Sequence, residues 1–442
     1  MALGGGLWFT QNKKLPGSYI NFISIGSASV ELSERGIVAM PMALDWGVDG
    51  DIITITPEDL QKNSMKLFGY EYTNEKLKGL RDLMLHCRIA YIYKLNSNLT
   101  GGKAANTFAT AKYAGTRGNS LSIRIAKNVD DEDKWDVMTY LAGTLVDSQT
   151  VETSADLVAN DYVTWKAGTT LAANAGLAMT GGTDAAVTVA NHQTFIDKIE
   201  SYSVNAVGVV NDETVDGAIA VNALYAAFVK RMRDEMGVKF QVVLYHNAAD
   251  YEGVVNVKNP VTDSGWSAAS LVYWVTGVVG GTAINASALN MIYDGEFTVN
   301  VDYTQVQLEA AIDAGEFTLH KVADDVRVLN DQNSLVTTSV DKNELFKQNQ
   351  TIRVIDTIAN DIASIFNTRY IGQVPNDDEG RTSLWNDIVS HHRELERIRA
   401  IQDFDEEEVV VSAGIEKAAV VVSDAVTIIN AMAKLYMTCV IQ

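Results

Sequence analysis

Cysteine, proline and histidine are all scarce in this 442-residue chain, at two, five and six residues. Two cysteines, Cys87 and Cys439, exclude a disulfide framework and a thiolate zinc site. Both have apolar neighbours in sequence, so each reads as a small core residue. Five prolines leave no proline-rich linker to divide the chain. No apolar run reaches the roughly eighteen residues that a membrane span requires. Residues 1–14 lack a basic segment followed by an apolar one, so no signal peptide is expected and the chain reads as made and kept inside a cell. Positive charge is short as well. Lys plus Arg number 35 against 56 Asp plus Glu, a formal charge of −21, which repels phosphate backbones and argues against nucleic acid as a partner. The same charge makes any self-assembly sensitive to salt.

Catalytic signatures are missing too. There is no GxxxxGK[ST], GxSxG, HExxH or CxxC. His391-His392 is the one histidine pair, and adjacent helix positions point about 100° apart. One ring is therefore expected on a packed stripe and the other in solvent. Gly280-Gly281 follows an apolar helix and reads as a C-cap and turn. Gly115-Thr116-Arg117-Gly118-Asn119 reads as a tight hairpin needing positive φ. The acidic cluster 403–408 reads as a solvated charge run. No catalytic, metal or cofactor site is expected.

What is present is apolar material for several cores, 47% of the chain. The pattern is α/β from residue 36. A strand is expected over 38–46, a helix begins at Thr56-Pro57-Glu58-Asp59, a second helix covers 74–86 and a buried strand 89–95. Residues 96–183 lose helical periodicity, and strands over 108–113, 121–126, 136–141 and 145–150 suggest an inserted β-sandwich. Helices over 189–202, 215–236 and 267–279 then alternate with strands over 206–210 and 240–245, which is the arithmetic of a largely parallel sheet. Long helices are expected over 343–366 and 381–402.

The two ends are distinctive. Residues 18–24 form a short strand after the turn Leu15-Pro16-Gly17 and a loose Gly4-Gly5-Gly6. It is either a frayed end or an arm that docks elsewhere. At the other end Ile429, Ala431, Ala433, Leu435, Met437, Cys439 and Ile441 alternate with more polar neighbours, the period of a strand with one buried face. It either joins its own sheet or pairs with another chain.

Several stretches together resemble the contractile tail sheath proteins of phages and phage-tail-like bacteriocins, in the branch of Gram-positive, clostridial prophages. They are Met1 to Trp8 with Gln11-Asn12-Lys13 and Leu15 to Phe22, Tyr113 to Asn119, Tyr370 to Asn376 with Gly380-Arg381, and Ala431 to Met437. The resemblance spans the whole chain and implies a multidomain α/β fold. Its parts would be an N-terminal arm (1–24), the first part of the α/β core (25–95), a β-sandwich (96–183), a subtilisin-like α/β domain (184–338), a C-terminal α+β assembly domain (339–425) and a C-terminal strand arm (426–442). It implies a non-enzymatic subunit that polymerises with itself as stacked hexameric rings around an inner tail tube, beside baseplate and tail terminator proteins, without membrane or nucleic acid. Assembly would occur in the bacterial cytoplasm before release within a particle. The intersubunit residues would be Leu15, Tyr19, Ile20 and Phe22 at one end and Ile429, Leu435, Tyr436, Met437, Val440 and Ile441 at the other. On such a subunit the charged face with Arg393, Glu394, Arg397 and Arg399 is the candidate to touch the tube, or is simply solvated. The alternative from residues alone is an α/β hydrolase-type enzyme with an accessory β-sandwich.

Overall fold

The computed structural model describes residues 32–97, 101–212 and 217–441. The expected N-terminal arm, with Leu15, Tyr19, Ile20 and Phe22, lies outside them, as does the start of the helix expected from residue 215.

The chain opens with strand β1 (Ile37–Met42), strand β2 (Ile52–Ile55), helix α1 (Pro57–Phe68), helix α2 (Lys78–Met84) and strand β3 (Ile89–Lys94). β3 pairs with β1 in parallel, and β2 adds to β3 antiparallel. α1 starts where the sequence places it. The Thr56 hydroxyl accepts from the Asp59 amide while the Asp59 carboxylate accepts from the Thr56 amide, a capping box with Pro57 behind it. The helix expected over 74–86 is shorter, because Glu75–Leu77 forms a separate 3-10 turn capped by Asn74.

Next come β4 (Ala109–Ala111), β5 (Leu121–Lys127), β6 (Trp135–Leu141), β7 (Thr144–Val151), β8 (Val163–Trp165) and β9 (Asn174–Ala178). They form a four-stranded antiparallel sheet, β7-β6-β5-β9, and a pair, β4-β8. Ile123, Ile125 and Val137 from the sheet meet Ala109, Ala111 and Val163 from the pair in one core.

The chain then returns through α3 (Val189–Ile199), β10 (Ala206–Gly208), α4 (Ala218–Asp234), β11 (Gln241–Tyr245), β12 (Val254–Val257), α5 (Val272–Gly281), α6 (Gln305–Asp313) and β13 (Glu316–Phe317). The completed sheet runs β13-β12-β11-β10-β1-β3-β2, parallel except at β2. Strand alternation sends Val38, Met40, Val243 and Tyr245 into the core under α1, α2 and α5, and Ala39, Val242 and Leu244 into the core under α3 and α4. Gly280 and Gly281 are a correction to the sequence reading. Both lie inside α5, and a Cβ would stand 2.3 Å from Val38 and 1.6 Å from the His86 carbonyl oxygen. They let the helix sit against β1 and the end of α2.

After a hairpin, β14 (Leu319–Val322) and β15 (Asp325–Val328), the last part holds α7 (Asn349–Ile365), α8 (Asp378–Arg397), β16 (Ile401–Gln402), β17 (Val410–Ala413), β18 (Val420–Ser423) and β19 (Thr427–Ile428). α7 begins later than expected, because Gln348 is extended at φ −93° and ψ 125° and Glu344–Lys347 forms its own turn. Leu345 is consequently exposed rather than on the packed stripe. α8 begins earlier, capped by Asp377, and ends before Arg399, whose φ is 62°. Buried ion pairs fasten α7 to the central layer. Arg233 binds Asp356 through two contacts of 2.6 and 2.7 Å, and Arg353 binds Asp331 at 2.6 Å.

Candidate functional site

The end of the chain leaves the fold through a defined root. β19 pairs with β16, and the Ile429 amide donates to the Ala400 carbonyl at 3.0 Å. Gln350 of α7 then clamps the backbone from both sides. Its Nε2 donates to the Ile429 carbonyl at 3.2 Å, and its Oε1 accepts from the Ala431 amide at 2.9 Å. Thr351 adds a bond to the Asn430 side chain at 3.2 Å.

Beyond this clamp, residues 431–441 are exposed and belong to no helix or strand. Ile429 is half-buried in the root, whereas Leu435, Tyr436, Met437, Val440 and Ile441 are each at least 79% exposed. Cys439 is exposed too, against the expectation of a core residue, while Cys87 is buried as expected. The period of two is thus a burial pattern with no burying surface among the described residues. Apolar side chains displayed on backbone that has no strand partner among the described residues are the general signature of a contact surface.

Close by, β17 and β18 form a sheet of only two strands, with Val410 opposite Ser423 and Ala413 opposite Val420. Val411 and Val420 pack towards α8, while Val410, Val421 and Val422 are exposed. Among the described residues no third strand covers either edge.

On α8, the charged residues are mostly engaged. Arg393 is paired with Glu406, and Arg397 Nε donates to Glu394 at 2.7 Å, one turn back along the same helix. Arg399 lies beyond the helix end and is exposed. The acidic cluster therefore supplies a partner for Arg393.

The histidine pair departs from the sequence reading, since both rings are wholly buried. His391 Nε2 lies 3.1 Å from Asp361 of α7, and His392 Nε2 lies 2.6 Å from Asp424, just before β19. The two Nδ1 atoms face each other at 3.1 Å. The second ring is covered because residue 424 and Phe404, 5.2 Å away, close over the outer side of α8.

The loop 115–119 is also not a hairpin. Gly115, at φ 134°, passes so close to Asp45 that a Cβ would stand 1.9 Å from its carbonyl oxygen. Thr116–Ser120 forms a 3-10 turn, and Arg117 stacks on Tyr70 at 4.1 Å while donating to the Gly69 carbonyl. The loop is the junction between the antiparallel layer and the central sheet. A cavity of about 730 Å³ opens beside it at the end of β1, lined in part by Asp45, Tyr70, Trp266 and Asp184. Its polar walls are bonded to one another: the Tyr70 hydroxyl donates to Asp45, and Thr116 to Asp184.

Among the described residues no group of three or more His, Cys, Asp or Glu is placed to hold a metal ion, and no helix is long and apolar enough to cross a membrane. His192 of α3 is buried against the Tyr225 hydroxyl at 3.0 Å, and burial pushes it down to about 4.

Models of four consecutive families match the chain: the domain III N-terminal region of tail sheath protein Gp18 over residues 35–95, the phage tail sheath β-sandwich domain over 98–184, the phage tail sheath central domain over 185–334 and the phage tail sheath C-terminal domain over 341–442. The phage-like element PBSX protein XkdK of Bacillus subtilis is 31% identical, with 98% of this chain and 99% of that protein covered. The crystal structure of the sheath tail protein from Desulfitobacterium hafniense superposes with a TM-score of 0.82 at 34% identity, covering 95% of this chain and 99% of that one. The helical sheath of the anti-feeding prophage in its contracted state shares the fold, with a TM-score of 0.58 at 13% identity over 97% and 99% of the two chains. This chain belongs to the phage tail sheath proteins and is a structural sheath subunit.

Proposed function

We propose that this subunit polymerises as stacked hexameric rings around an inner tail tube, and that the assembly contracts to drive the tube through a target envelope. The observation that carries the reading is the exposed arm beyond Ala431, an alternating apolar segment whose backbone has no strand partner among the described residues. The arm supplies a strand to a neighbour, and the open two-stranded sheet β17-β18 supplies an edge of the right kind to receive one. Leu435, Tyr436, Met437, Val440 and Ile441 form the donated segment, Ile429 stays in the root, and Leu15, Tyr19, Ile20 and Phe22 act likewise at the other end. Arg393, Glu394, Arg397 and Arg399 face the tube. Baseplate and terminator proteins close the two ends of the stack. Assembly takes place in the bacterial cytoplasm, and the particle is released afterwards. The subunit acts without catalysis, and its middle domain is subtilisin-like in architecture only. The hydrolase alternative draws no support from the sheath family to which the chain belongs.

Negative-stain electron microscopy of the purified chain tests this against a truncation lacking residues 432–442. The cut spares Gln350's clamp on Ile429 and Ala431, so the shortened subunit should stay folded by circular dichroism. Full-length protein should give helical tubes and the truncated protein only separate subunits. Normal tubes from the truncated chain would remove the arm from the assembly mechanism.

A further inference from the structure

Asp361, His391, His392 and Asp424 form one hydrogen-bonded chain, and counting its protons is informative. Each of three contacts needs one proton: His391 Nε2 with Asp361 Oδ2 at 3.1 Å, Nδ1 with Nδ1 at 3.1 Å, and His392 Nε2 with Asp424 Oδ2 at 2.6 Å. Two neutral imidazoles carry one N–H each and ionised carboxylates carry none. Two protons cannot fill three bonds. An empty bond would set two lone pairs face to face in a buried site, where an unsatisfied polar group is costly.

We infer that the chain holds a third proton, carried as an imidazolium on His392, and that this proton pins the root of the carboxy-terminal arm to α8. An imidazole is chosen over a carboxyl because its ordinary basicity is greater, about 6.5 against about 3.9. His392 is chosen over His391 because its carboxylate contact is the shorter one, at 2.6 Å, as bonds between two charged groups are. His392 then donates from Nε2 to Asp424 and from Nδ1 to the Nδ1 of His391, and His391 donates its Nε2–H to Asp361. Among the described residues, no other charged side chain is hydrogen-bonded to either ring. α7 presents Asp361, whose Oδ2 also accepts from the Ser33 amide at 3.2 Å. The segment between β18 and β19 presents Asp424. The loop after β16 presents the Phe404 ring, with Asp403 and Asp405 exposed on either side of it. The cluster thereby joins the amino-terminal edge of the described chain to the root of the arm. The inference concerns the root alone and does not depend on what the arm pairs with.

With six histidines in the full chain, histidine-selective 15N NMR reads the protonation states, and H391Q and H392Q assign the two rings. At neutral pH His392 should show two protonated nitrogens and His391 a single Nε2–H. D424N keeps the side-chain shape and is the variant to rely on where a histidine substitution unfolds the protein. It should return His392 to a neutral ring and speed hydrogen exchange over residues 424–429 by about tenfold, the loss of one charged bond. Two neutral rings in the unaltered protein would overturn the proposal. So would an imidazolium or unchanged exchange in D424N, or a stoichiometric transition metal found by mass spectrometry, since a cation between the Nδ1 atoms would replace the proton.

Discussion

His192 shows how one buried residue sets a pH dependence. Its ring is neutral in the fold because burial against Tyr225 pushes it down to about 4. Once unfolded it returns to about 6.5, so the unfolded chain binds the extra proton first as pH falls. Its contribution is whole above about pH 6.5 and is lost between there and pH 4, at a total of about 3 kcal/mol. Denaturant midpoints should fall across that window, and H192Q should flatten the fall; an unchanged slope in H192Q would show that other groups set it. Asp356 makes a second case. Removing it in D356A leaves Arg233 charged in a site where its side chain is 4% exposed, at a cost of about 3–5 kcal/mol. D356A combined with R233M should recover part of that loss, which thermal unfolding of the two variants would show.

Elements were legible in sequence where one local rule decides them. Thr56-Pro57-Glu58-Asp59 carries its whole capping geometry within four adjacent residues, and the structure places α1 there. Features that depend on distant packing were not legible. The approximately 100° offset between neighbouring helix positions is real, yet His392 is buried because Asp424 and Phe404 arrive from far along the chain. Gly281 needs its missing Cβ because of the His86 carbonyl, and no local pattern announces that. Cys439 shows the opposite failure, since a correct period of two gave a burial that the described residues do not provide. The charged face of α8 yields a prediction at this scale. With Arg393 and Arg397 already paired to Glu406 and Glu394, reversing both arginines turns two ion pairs into two like-charge clusters. R393E/R397E should co-sediment more weakly with tube at low salt while sheath polymerisation persists. Unchanged co-sedimentation would place the tube contact elsewhere.

At the scale of the whole molecule, α7 is fastened to the central layer by buried ion pairs, whereas residues 431–441 are held, among the described residues, at their root alone. A shape change of the assembly is therefore expected to move rigid bodies about the roots and leave paired strands intact. A disulfide between L435C and the neighbouring strand it meets, in a chain with Cys439 replaced, should leave contraction unimpaired. A sheath locked in its long form by that bond would show that the strands must part.

The free arm also bears on how long such an object grows. If each subunit gives its carboxy-terminal strand to a neighbour, as proposed above, then inside a stack every gift has a recipient, whatever the number of rings. Only the terminal rings would then keep unmet strands or vacant edges. That deficit is a boundary cost, the same for a short stack as for a long one, and it shrinks per subunit with every ring added. On that arrangement growth would have no internal reason to stop, and length would have to be dictated from outside the polymer, by whatever caps its ends or measures its axis.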